Sequence, residues 1–194
     1  MALVFFDFDG TLTRFDTFIP YCLIALLHRP WRIFCIKPIV KGLFAAFEEG
    51  VEREELKKAF VGAFLGGAER RDIHQWNKIF FRFVLPHTLR ERIFNKLRQH
   101  QDRGDWVYIV SASPDIYLQP LAKLWRLDGV ICTKLEWRRC CLTGRILGKN
   151  CRGEEKAKLI RILFNKTELV GSFAYGNSEG DRQMLELVSF GFRI

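Results

Sequence analysis

An α/β fold is predicted: a doubly wound, Rossmann-like parallel sheet with an all-helical insertion after its first strand. Two observations carry this. Short apolar runs, at residues 3–8, 106–110 and 170–175, alternate with helical patterns, the order that winds a parallel sheet with its site at the carboxyl ends of the strands. Between the first two runs, residues 14–101 show no strand pattern and read as consecutive helices. At 194 residues the chain is long enough for one full core and a modest accessory domain. With 48% hydrophobic and 27% charged residues it is globular, which excludes a disordered chain.

The first run, Leu3-Val4-Phe5-Phe6, leads through Asp7-Phe8-Asp9 to Gly10-Thr11-Leu12-Thr13. It lacks the polar alternation of a half-exposed strand and suits one covered on both faces. Gly10 lets the backbone turn where the strand stops, and strand alternation sends Asp7 and Asp9 to one face. In the insertion, Pro20, Pro30 and Pro38 mark helices at 17–28 and 31–47, because proline is tolerated near a helix start and resisted inside one. A helix at 51–65 carries Glu52, Glu54 and Glu55 in its first turn, then Lys57 and Lys58, and is stopped by Gly66-Gly67. Helices at 72–83 and 86–101 follow, the second with Leu89, Ile93, Phe94 and Leu97 on one apolar face.

The sheet resumes at Trp106-Val107-Tyr108-Ile109-Val110 and ends at Ser111-Ala112-Ser113-Pro114. Ser113 is expected to cap a helix that starts at Pro114, leaving free backbone N–H groups beside Ser111 as an anion site. Val130 to Thr133 reads as a short strand, and Leu135 to Leu147 as a hairpin turned near Cys140 to Gly144, with no chemistry in it. A helix opens at Cys151-Arg152-Gly153-Glu154-Glu155-Lys156 and runs through Leu163, with Lys158 as a surface charge. The last strand, Val170 to Tyr175, runs into Gly176-Asn177-Ser178-Glu179-Gly180-Asp181 and a helix from Arg182.

The acids at the end of the first strand suit phosphoryl transfer. Asp7 is placed to attack phosphorus and form an aspartyl-phosphate, which splits one hard hydrolysis into two easier displacements. Asp9 would protonate the leaving alcohol and later deprotonate the attacking water, a role for a carboxyl whose pKa a neighbouring carboxylate raises. A hard Mg2+ would hold phosphate oxygens and offset the repulsion of acid against phosphate. A cation is wanted on the phosphoryl group, and Lys156 or Arg152 could supply it.

Asp7-Phe8-Asp9-Gly10-Thr11-Leu12-Thr13 directly after a Leu-Val-Phe-Phe strand resembles the nucleophile motif of the haloacid dehalogenase (HAD) superfamily. Ser111 resembles its second motif, a hydroxyl at a strand end. Gly153-Glu154-Glu155-Lys156 is similar to its third, although phosphoserine-phosphatase-like members carry the lysine just before the glycine, where Arg152 stands. Residues 176–181 resemble the fourth, in which two acids four residues apart serve the metal. Asn177 departs from that pattern: an amide oxygen still ligates Mg2+, with one negative charge fewer.

The resemblance implies a HAD core at residues 1–13 and 102–194 and a helical cap at 14–101, the arrangement of subfamily IB phosphatases. The wording is closest to phosphatidylglycerophosphatase C-like and phosphoserine-phosphatase-like hydrolases. It implies catalytic Asp7, Asp9, Ser111 and Lys156, substrate contacts at Gly10, Thr11, Ala112 and Asp16, and an Mg2+ site of Asp7, Asp9, Asn177 and Asp181. Asp16 stands where phosphoserine enzymes meet the substrate amine, and capping the first cap helix is an equal reading. The cap arginine for a serine carboxylate is not placed: Glu55-Leu56-Lys57-Lys58-Ala59-Phe60 offers lysines and an alanine in that region, which disfavours phosphoserine.

The expected function is an Mg2+-dependent phosphomonoester hydrolase working through Asp7 on a phosphorylated small molecule or lipid phosphate. The alternative is a weak or inactive HAD-fold protein that binds phosphate or a membrane surface, motivated by Asn177 and the basic, apolar cap. The net charge of +9 favours anionic partners, but no arginine-glycine tract, zinc spacing or aromatic RNA-binding pattern accompanies it, so nucleic acid is set aside. Between Thr17 and Phe47 there is no acid, while Arg29, Arg32, Lys37 and Lys41 interleave with large apolar residues. That stretch suits peripheral contact with an anionic membrane and falls short of the ~20 apolar residues needed to span one. Six cysteines without a Cys-x-x-Cys pair or a secretory leader fit the cytoplasm, with peripheral contact at the inner membrane.

Overall fold

The computed structural model describes residues 1–35 and 53–194, so most of the helix expected at 31–47 lies outside the described residues. Six strands form one sheet: β1 (Leu3–Phe6), β2 (Trp106–Pro114), β3 (Gly129–Arg138), β4 (Cys141–Leu147), β5 (Phe173–Gly176) and β6 (Phe190–Arg193). Their order is β4-β3-β2-β1-β5-β6, parallel throughout except for β4, which folds back on β3. The apolar first run thus takes the centre, paired with β2 on one side and β5 on the other. Both its faces are covered: Val4 and Phe6 belong to one hydrophobic cluster and Phe5 to another, all fully buried.

The helices are α1 (Phe18–His28), α2 (Arg53–Phe60), α3 (Arg70–Ile79), α4 (Leu85–Thr88), α5 (Glu91–Asp102), α6 (Asp115–Trp125), α7 (Glu154–Leu163) and α8 (Arg182–Leu187). Wider turns continue α2 through Val61–Leu65 and α3 through Phe80–Val84. The insertion packs by aromatic contact. Tyr21 of α1 lies against Trp76, Phe80 and Tyr117 and donates to Asn77 Oδ1 at 2.8 Å, while Asn77 donates to the Ile116 carbonyl of α6 at 2.8 Å. These side chains join Val4 and Phe6 in one continuous core, so the insertion and the sheet are packed together.

Several elements depart from the sequence expectation, each for a local reason. The helix expected at 86–101 is broken at Leu89 (φ −63, ψ 139). There the chain bridges to Thr13, with Arg14 N–H donating to the Thr88 carbonyl (2.7 Å) and Arg90 N–H to the Leu12 carbonyl (2.8 Å). Those bonds replace the helix's own. Ser113 does not cap a helix: β2 stays extended through Pro114, and α6 starts at Asp115. The last strand starts at Phe173 instead of Val170, because Gly171 (φ +78) turns the chain and Ser172 N–H bonds back to the Leu169 carbonyl. β3 runs unbroken from Gly129 to Arg138, and the hairpin turn is confined to Arg139 and Cys140, with Arg139 left-handed at φ +57.

The hairpin that carries no chemistry in the sequence reading has a structural task. Gly67 N–H donates to the Leu142 carbonyl (2.7 Å), and Leu142 N–H to the Ala68 carbonyl (2.9 Å), which fastens the end of the α2 segment to β4. A Cβ at Gly144 would stand 3.0 Å from Gly62 Cα and 3.2 Å from Gly66 Cα. None of the six cysteines forms a disulfide. Among the described residues no helix is long and apolar enough to cross a membrane.

Candidate active site

The ends of β1, β2 and β5 and the start of α7 meet around a cavity of about 660 Å3. β1 ends at Phe6. Asp7 is still extended (φ −67, ψ 155), and its N–H donates to the Tyr175 carbonyl at 2.9 Å, so β5 fixes its backbone. The loop then swings through Gly10, whose φ of +80 few other residues adopt. Any Cβ there would lie 2.2 Å from Asn177 Nδ2, so glycine is required both for the turn and for this approach.

Asp7 is buried and held at both oxygens. Lys156 Nζ donates to Oδ1 at 2.7 Å and Thr11 Oγ1 to Oδ2 at 2.8 Å. Lys156 also donates to Asp181 Oδ1 at 2.6 Å, with only 2% of its side chain exposed. Burial works against its charge, but Asp7 and Asp181 outweigh that and hold the lysine above its ordinary pKa. Burial pushes Asp7 upward, with Asp181 adding to it and Lys156 opposing. Asp181 is buried too, yet Lys156 and the Ser178 N–H and hydroxyl keep it below the usual carboxylate range. Lys156 thus meets Asp7 directly, while Arg152 is exposed on the cavity wall and Lys158 faces solvent.

Asp9 has different company. Its Oδ1 accepts from Thr17 N–H (2.8 Å) and Thr17 Oγ1 (2.7 Å), and its Oδ2 from the Ser113 hydroxyl. Burial and then the nearby Asp16 charge push its pKa up to about 7, against the pull of the Ser113 and Thr17 hydrogen bonds. Asp16 Oδ1 accepts from Phe18 N–H at 2.8 Å, so it caps α1 while its exposed side chain also lines the cavity. Ser111, buried in the carboxyl-terminal half of β2, accepts from Ser113 N–H at 3.0 Å and lines the cavity with Ala112. Thr11 is fully buried and supports Asp7 instead of lining the cavity.

Mg2+ is tested against these residues by their donor chemistry. Asp7 Oδ2 and Asn177 Oδ1 both lie within reach of Thr11 Oγ1, at 2.8 and 3.4 Å, and Asp181 is one lysine contact away. Among the described residues no three His, Cys, Asp or Glu group to hold an ion. At Asn177 an amide replaces an acid, and the carboxylate oxygens of Asp7, Asp9 and Asp181 all accept from protein donors. The set is all oxygen, which fits a small hard cation and not a thiophilic one.

Thr17, Ser113, Lys57 and Asn150 are at the site without being singled out by sequence. Ser113 reads as a cap from its place before Pro114. Lys57 reads as a helix charge indistinguishable from Lys58.

A sheet with paired acids at the end of its first strand and a buried lysine between carboxylates defines the class, and the comparisons agree. Residues 4–186 match the haloacid dehalogenase-like hydrolase family, and the chain belongs to that family. Protein CicA of Caulobacter vibrioides (strain NA1000 / CB15N) is 35% identical over 198 residues, covering 99% of this chain and 86% of CicA. A histidinol-phosphatase of Neisseria meningitidis serogroup C (strain 8013) is 24% identical, over 96% of this chain and 87% of its own. The crystal structure of a protein of unknown function from Bordetella pertussis Tohama I superposes with a TM-score of 0.75 at 25% identity, covering 97% of this chain and 87% of that one. Phosphoserine phosphatases stand among both the relatives and the structural neighbours.

Proposed function

We propose that the protein is an Mg2+-dependent phosphomonoesterase working through a phosphorylated Asp7. The observation that carries this reading is the contact of Asp7 with both Lys156 and Thr11, which aims a carboxylate into the cavity beside a buried cation. Asp7 attacks phosphorus and the ester oxygen leaves, taking the proton of Asp9. Asp9 then removes a proton from the water that cleaves the aspartyl-phosphate, and phosphate departs. Lys156 and Ser111 hold the phosphoryl oxygens, the lysine offsetting the charge that builds on them. Asp7, Asp9, Asn177 and Asp181 would hold Mg2+, with Asp9 contributing apart from its engaged carboxylate. When bound, the ion supplies positive charge to the phosphoryl oxygens.

The insertion lines the cavity with Phe15, Phe18, Ile19, Leu56 and Phe60, interspersed with Arg14, Asp16 and Lys57. This supports a phosphomonoester with an apolar body, such as a lipid phosphate. Ile19, Leu23 and Leu27 follow one another along α1 at 53%, 52% and 80% exposure, a stripe suited to peripheral contact with a lipid surface. A panel of phosphorylated metabolites and lipid phosphates in mixed micelles, with Mg2+, tests the reading. Release confined to short polar esters would remove the lipid substrate, and no release above an Asp7→Asn control would remove the mechanism.

A further inference from the structure

Lys57 has no part in the steps above, yet it enters the same cavity from the helical insertion. From α2 its Nζ donates to three neutral acceptors on three core elements. They are the Ala112 carbonyl on β2, Thr133 Oγ1 on β3 at 3.3 Å and Asn150 Oδ1 in the loop before α7 at 2.6 Å. The receptor is itself built. Thr133 Oγ1 donates to Asn150 Oδ1 at 2.8 Å and accepts from Cys151 N–H at 3.0 Å, with Thr133 fully buried and Asn150 nearly so. The neighbouring Lys58 shows what an ordinary charge on this helix does: it stays exposed and pairs with Glu54 and Glu55.

An ammonium drawn out of water costs free energy unless its donors are matched, so a lysine that bridges three elements holds them together. We propose that Lys57 is a positioning residue of this phosphatase, tying α2 to the ends of β2 and β3 so that the cleft over Asp7 and Asp9 closes on the bound ester. It touches no reacting atom. Its hydrogen-bond partners are neutral, and the nearby Asp9 and Asp16 carboxylates favour its charge against burial, which places an ammonium over the site where an anionic ester would sit. The proposal rests on the phosphatase site described above.

The test combines steady-state kinetics on p-nitrophenyl phosphate with amide hydrogen exchange, in wild type, Lys57→Met, Asn150→Ala and the double variant. Thermal melting first shows that each is folded. Lys57→Met is expected to raise KM on the order of tenfold with kcat nearly unchanged, the loss of about one charge-assisted hydrogen bond. Exchange in α2 should quicken by a similar factor while β1 and β5 keep their protection. Asn150→Ala should show part of the same effect, and the double variant should be no worse than Lys57→Met, because the two side chains act as one tether. Wild-type KM and wild-type α2 exchange in Lys57→Met would overturn the tether, and so would losses that multiply in the double variant. Exchange reads the tether without turnover, so an inactive wild type would count against the site reading alone.

Discussion

Asp7 and Asp9 stand two residues apart and are fitted for opposite tasks by what touches them. In the proposed mechanism Asp7 attacks as the carboxylate, which its buried ammonium partner favours against the upward push of burial. Asp9 instead faces hydroxyls and a carboxylate and has its pKa pushed up to about 7. Replacing Asp7 with Asn nearly conserves its volume and removes the proposed nucleophile, so phosphate release should fall on the order of a thousandfold or more while melting temperature holds. For Asp9 the sign follows from its pKa of about 7. The acid form is needed for the leaving group, so turnover of alkyl phosphates should fall as pH rises through 7, whereas aryl phosphates with good leaving groups should show no such limb. Since the Asp16 charge helps to raise that pKa, Asp16→Asn should move the falling limb to lower pH. A pH profile unchanged by Asp16→Asn would remove Asp9 from the acid role. Asp7, Ser111, Lys156 and Asp181 were legible in the sequence because each lies near the end of an apolar strand run or the start of a helix, in a fixed order. Ser113, Thr17 and Lys57 were not, because their partners lie about a hundred, eight and fifty to ninety residues away, and a side chain's long-range partner leaves no local pattern.

At the scale of elements, periodicity located the helices within the described residues and missed several of their boundaries. Leu89 carries the apolar spacing of a helix and is nevertheless extended, since pairing with Thr13 satisfies its neighbours' backbone groups in another way. The β3–β4 hairpin was visible as a hairpin, but its union with the α2 segment was not. That union depends on the closeness of three glycines, and a missing side chain gives no signal of what fills its place. Gly144→Ala tests it. The substituted methyl would press on Gly62 and Gly66 at a backbone position of φ +84, so both overpacking and strain oppose it. The expected cost is roughly 1–3 kcal/mol, a fall in melting temperature of about 2–10 °C. Alanine at Gly148, also at positive φ (+77) but with nothing within 4 Å, separates the backbone strain from the contact. Equal losses at both positions would show that the close approach of hairpin and insertion contributes nothing.

Across the whole molecule, the site is where separate parts of the chain are joined: β1 by Asp7, β5 by Asn177, α7 by Lys156 and the turn before α8 by Asp181. A cation bound there stabilises the folded chain by mass action, about 2.7 kcal/mol at a hundredfold excess over its Kd. Mg2+ should therefore raise the melting temperature in a concentration-dependent way. In the proposed site the amide at Asn177 sets the terms of that binding. Without metal, Asn177→Asp adds a charge beside Asp7 and Asp181, which already share one lysine, and should lower the melting temperature. With metal the same charge becomes a stronger ligand, and the Mg2+ concentration at half-effect should fall by roughly fivefold or more. Turnover at saturating Mg2+ need not rise, because tighter metal binding does not by itself favour the transition state over the ground state. The measurement is a thermal titration of wild type, Asn177→Asp and Asn177→Ala, read without substrate. Crossing curves for the first two, with Asn177→Ala weakest in its response, are expected; three superimposable curves would put Asn177 outside the reach of the metal.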